Sequence, residues 1–170
     1  MKPEIILLLA ACAIAVCTDV RARRIPNWLT GALAAGALAF HLPQGWTAVA
    51  GALAAGAVVF IIGTVAHSIR ILGGGDVKLL AAGALALGSP DCVIFVLYTL
   101  LGGGVFALAY ALAQRRLRST LVNVRALAQT RTLLDAAVPS LRMPYAIAIA
   151  FGAAIVALAD TIFPAMRFPT

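Results

Sequence analysis

The sequence predicts an all-α membrane protein: a single bundle of six transmembrane helices over residues 1–170, with both termini on the outer side. Three observations carry this. First, 63% of the 170 residues are hydrophobic and only 11% are charged, with a mean hydropathy of +1.03. Soluble domains run nearer ~45–50% apolar and ~25% charged, and a chain this short leaves too much surface exposed to hide the excess. A soluble enzyme, a nucleic-acid module and a disordered tail are therefore disfavoured. Second, apolar stretches alternate with short polar breaks, as a bilayer requires. Third, the basic residues fall on alternate breaks, as the positive-inside rule requires.

The expected spans cover 4–18, 28–42, 46–66, 77–89, 92–113 and 143–163. The first resembles a signal peptide, with Lys2 ahead of an apolar run. However, Cys17-Thr18-Asp19 is a poor small-residue cleavage site and more apolar segments follow, so it counts as a span. Pro43, and Gly88-Ser89-Pro90-Asp91, mark two tight outer turns. Span 77–89 is the shortest; thirteen residues make only ~20 Å of helix against a ~30 Å hydrocarbon core. Segment 114–142 carries Leu117, Leu121, Val124, Leu127 and Ala128 between arginines. That spacing predicts an amphipathic helix on the cytoplasmic leaflet. With this parity, all of the 13 basic residues except Lys2 and Arg167 lie on one side, the cytoplasmic one. The net charge of +7 then reflects loops facing anionic lipid rather than nucleic acid. Cys12, Cys17 and Cys92 form neither a disulfide framework nor a zinc spacing and read as packing residues.

A charge near the membrane core is a functional hypothesis by default. There are six acids. The topology sends Glu4, Asp91 and Asp160 to the outer side and Asp135 into the basic segment. Asp19 and Asp76 remain, far apart in sequence but at one depth on the cytoplasmic side. Two close carboxylates share a proton, because both cannot ionise together. One then takes a proton from water while the other donates to a carbonyl, the logic of an aspartic protease. Charge placement alone equally allows each Asp to pair with an arginine, or Asp76 to cap a helix.

The local sequences add to this. Gly73-Gly74-Gly75 precede Asp76, and glycine permits close approach of another chain. After Asp19 comes Val-Arg-Ala-Arg-Arg-Ile-Pro-Asn27, where Ile25 before Pro26 is biased to extended backbone. Together these segments resemble the type IV prepilin peptidases, the GxGD-type intramembrane aspartyl proteases. The matching positions are Asp19, the basic run Arg21 to Arg24, Ile25-Pro26-Asn27, Gly73, Gly75, Asp76, Val77 and Lys78. The short length and Met143-Pro144-Tyr145-Ala146-Ile147-Ala148 look most like the branch serving Flp/Tad-type pili.

The resemblance implies that Asp19 and Asp76 are the catalytic pair, working without metal or cofactor. Gly73, Gly74, Gly75, Lys78, Pro26 and Asn27 would bind substrate or support the pair. The substrate would be a prepilin with a basic leader and an apolar helix, cut at the cytoplasmic face of the bacterial inner membrane. The lipid bilayer would be the other partner, and no nucleic acid is expected. Larger relatives carry an N-terminal cytoplasmic insertion with paired cysteines linked to N-methylation; this chain has neither, so a peptidase without methyltransferase activity is expected. Two other classes compete: a small proton- or ion-coupled transporter, to be detected by flux, and a non-catalytic pilus-assembly scaffold. Cleavage requiring both acids separates the first reading from these.

Overall fold

The computed structural model of the protein describes residues 1–69, 71–113 and 145–162. Among them are six α-helices and no strand: α1 (Pro3–Ala22), α2 (Asn27–His41), α3 (Trp46–Ser68), α4 (Gly74–Leu87), α5 (Asp91–Ala113) and α6 (Ala146–Ile162). Each falls on an expected apolar stretch. The amphipathic helix expected over 114–142 lies outside the described residues.

Local chemistry sets the helix ends. Pro3 opens α1 at a position where its missing N–H costs nothing. The helix stops where Arg23 turns left-handed (φ 51°) and donates its N–H to the Asp19 carbonyl. Pro26, in extended backbone, then caps α2. A 3₁₀ turn over Leu42–Gln44 leads to α3, and Gly88 (φ 65°) ends α4.

Helix α4 is the centre of the bundle, packing on α1, α2, α3 and α5. It is buried along almost its whole length, from Val77 to Leu87. At 14 residues it is the shortest of the six α-helices described, and the other helices enclose it. Leu8, Cys12, Leu33, Leu79, Phe95 and Ile149 form the core where α1, α2, α4, α5 and α6 meet. Small residues let the helices approach. A methyl at Gly36 would meet Leu7 at 2.8 Å, at Gly56 it would meet Leu85 at 2.9 Å, and at Gly83 it would meet Phe95 at 2.8 Å. Gly36, Gly56 and Gly83 thus mark three separate helix contacts. Large apolar side chains face outward instead, among them Ile61, Ile62 and Val65 on α3 and Leu97, Leu101 and Val105 on α5. Helices α1 and α3 are long and apolar enough to cross a membrane.

The acids sort to opposite ends of the bundle. At one end, Lys2 Nζ pairs with Asp91 at 2.8 Å, and the Lys2 backbone N–H donates to Asp160 at 3.3 Å. These contacts join the starts of α1 and α5 to the end of α6. Asp19 and Asp76 lie at the other end, where α1 stops and α4 starts. His41, at the end of α2, is buried. Its Nε2 sits 3.2 Å from the carbonyls of Leu85 and Ala86, tying α2 to the end of α4.

Candidate active site

The site is assembled from three chain reversals at the same end of the bundle. Asp19 sits in the last turn of α1, half-buried, its backbone fixed by the αL stop at Arg23. Asp76 is the third residue of α4 and also half-buried. It is not the N-cap that its place before an apolar run suggested. Gly73 takes that position, in extended backbone, and two of the three glycines are helical. From the third helical position the Asp76 carboxylate reaches back and accepts a hydrogen bond from the Gly73 N–H, the acidic half of a capping box. A side chain on Gly73 would stand 2.6 Å from Asp76 Oδ2, so only glycine leaves room for this folded-back carboxylate.

The two acids lie within electrostatic reach of each other. The α1–α2 reversal brings Ile25 over the start of α4, where a methyl on Gly75 would lie 3.2 Å from Ile25 Cβ. Gly75 therefore holds the hairpin against α4 beside Asp76. Gly74 faces the His67 ring, whose Nδ1 lies 2.8 Å from the Leu72 carbonyl and links the end of α3 to the glycine loop. Pro26 caps α2 in extended backbone.

Lys78 and Asn27 come together, but with each other. Lys78 Nζ donates to Asn27 Oδ1 at 2.9 Å, in an exposed setting. Lys78 is two residues past Asp76, which is roughly 200° around the helix. It therefore lines a separate groove of about 490 Å³ between α2, α3 and α4, floored by Gly31, Ala34, Gly56 and Ala81. That groove is on the far side of α4 from the acids.

Two residues at the start of α6 complete the site; the sequence marks them as part of the Met143–Ala148 segment that resembles the Flp/Tad branch, but not as site residues. The Ala146 backbone N–H donates to Asp19 Oδ2 at 3.4 Å. Tyr145 is within electrostatic reach of Asp76, and its hydroxyl seats against Gly103 of α5, 2.7 Å from where a methyl there would be. An aromatic between a proline and an apolar run was the available sequence signal; a backbone donor has none. Among the described residues no three His, Cys, Asp or Glu side chains gather as metal ligands. Two carboxylates in a half-buried setting suit proton exchange with water and a carbonyl.

The sequence model of the type IV leader peptidase family matches residues 6–108, more than half of the chain. The protein belongs to that family, and it is therefore a peptidase of the kind that trims leaders from prepilins. The matched segment holds both acids and ends before Tyr145. No curated protein and no solved structure gives a significant match.

Proposed function

We propose that the protein is an intramembrane aspartyl endopeptidase that removes the basic leader of Flp-type prepilins at the cytoplasmic face of the bacterial inner membrane. The observation that carries this is the electrostatic proximity of Asp19 and Asp76, residues 57 positions apart, at one end of the bundle in a chain of the leader peptidase family. In this reading all six helices cross the bilayer, the whole chain is one membrane-embedded domain, and the termini lie outside. The ionised carboxylate of the pair takes a proton from water as the water oxygen attacks the scissile carbonyl. The protonated partner gives its proton to the carbonyl oxygen. The resulting diol collapses, the C–N bond breaks, and the leaving amine takes up a proton. The chemistry needs no cofactor, and the short α1–α2 connection leaves no room there for a methyltransferase module.

The test is cleavage of a purified Flp-type prepilin by the enzyme in liposomes, with the product mass measured. The reading predicts one cut between leader and apolar helix and no added methyl group. An intact precursor across several prepilins, alongside ion flux in the same liposomes, overturns it in favour of transport.

A further inference from the structure

The chain's match to its family ends at residue 108, yet the Asp19 side chain finds its backbone donor at residue 146. The first N–H groups of a helix have no partner within it. In α6 the Tyr145 carbonyl accepts the first helical bonds, from Ala148 at 3.0 Å and Ile149 at 3.2 Å. Ala146 is therefore the first helical residue, and its N–H is one of the unpartnered group. It is directed at Asp19 Oδ2. Ala146 is fully buried, so this donor is not exchanging freely with water.

The preceding residue fixes its position. Tyr145 is half-buried, and its ring and hydroxyl lie against the bare backbone of Gly103 on α5. A methyl there would stand 2.7 Å from the hydroxyl, 2.9 Å from Cζ and 3.1 Å from Cε2. Only a residue without a side chain leaves this seat open. Tyr145 also lies within electrostatic reach of Asp76. One dipeptide thus touches the surroundings of both acids, while α1 and α4 each contribute only one.

Resting on the peptidase reading above, we propose that Tyr145 and Ala146 are positioning residues: the Tyr145 seat on Gly103 sets the Ala146 N–H, which orients the Asp19 carboxylate toward Asp76 and the attacking water. The start of α6 is then a third arm of the site.

A misaligned carboxylate slows the chemical step and removes no contact made to the substrate in the ground state. Two variants disturb the arm independently. Ala146→Pro deletes the donor at a helix position that tolerates proline. Gly103→Ala pushes on the Tyr145 seat from α5 and leaves the N–H in place. Prepilin cleavage is measured under multiple-turnover conditions, with folding followed by thermal melting. Each folded variant is expected to lose about 10- to 100-fold in kcat, with KM within about twofold of wild type. Ala146→Gly restores the N–H and recovers most of the loss relative to Ala146→Pro. Leu158→Ala, exposed further along α6 and away from both acids, keeps the wild-type kcat.

A folded Ala146→Pro or Gly103→Ala enzyme with wild-type kcat overturns the proposal. So does an Ala146→Gly enzyme as slow as Ala146→Pro, because the donor would then be irrelevant. If Ala146→Pro does not fold, Gly103→Ala decides alone. Wild-type enzyme that cuts no prepilin overturns the peptidase reading itself, and that outcome is seen before any variant is compared.

Discussion

Gly63 on α3 faces Val77 on α4, and a single methyl there should disturb both stability and catalysis. A Cβ at position 63 would lie 2.8 Å from Val77 Cγ1 and 3.4 Å from Cγ2. Carbon contacts are comfortable at ~3.5–4.0 Å, so the overlap is near ~1 Å. Val77 is buried, 3% exposed, and its branched side chain is stiff at χ1. Rotation out of its well costs ~0.5–1.5 kcal/mol; otherwise α4 must shift. Overpacking of this kind destabilises by ~1–3 kcal/mol. A shift of α4 carries Asp76, the adjacent residue, with it, and a 1 Å misplacement at a reacting centre costs on the order of 100-fold. Gly63→Ala is therefore expected to lower the melting temperature and reduce prepilin cleavage by about 10- to 100-fold. Val77→Ala removes both clashing methyls, so the double variant recovers most of the activity. The assay is cleavage in detergent with a parallel melt. A Gly63→Ala enzyme of normal stability and rate, or a double variant no better than the single, refutes the reasoning.

Two further perturbations separate the ends of the bundle. His67→Phe removes the ring nitrogen that faces the Leu72 carbonyl. It should cost about 1 kcal/mol and speed hydrogen exchange over residues 71–75, whereas His67→Asn, which keeps a donor near that position, restores protection. His41→Leu strips the tie to Leu85 and Ala86 and should cost about 1–3 kcal/mol in a melt. Because His41 lies at the end of α4 away from Asp76, the kcat of enzyme that remains folded should stay at the wild-type value.

Much of the helix order was legible because a bilayer imposes one strong rule: long apolar runs, broken by turns, with basic residues on alternate breaks. That rule also isolated Asp19 and Asp76 from the other four acids. The proposed pairing rests on residue type and parity, and among the described residues the contacts put Asp91 and Asp160 at the end of the bundle opposite Asp19 and Asp76. Fine detail followed other physics. Asp76 read as a possible helix cap, yet α4 begins two residues earlier, because packing of Ile25 and the Gly73–Asp76 bond outweigh the weak helix preference of glycine. Lys78 looked like a partner for the acids by proximity in sequence. Helical rotation turns it away, to Asn27 at 51 positions' distance. Nothing in the local sequence announces that His41 faces two carbonyls inside the bundle. The donor to Asp19 is a backbone N–H, and any residue but proline supplies one. Its position depends on a glycine seat on another helix, which no local pattern announces.

The most direct measurement compares wild type, Asp19→Asn and Asp76→Asn for prepilin cleavage in liposomes, each confirmed folded by its melt. Asn keeps the size of the side chain and removes the capacity to exchange a proton. The account predicts that wild type cuts once, at the leader boundary, and that both folded variants are inactive. Near-normal cleavage by either variant would contradict the shared-proton pair and leave that aspartate with a structural role alone.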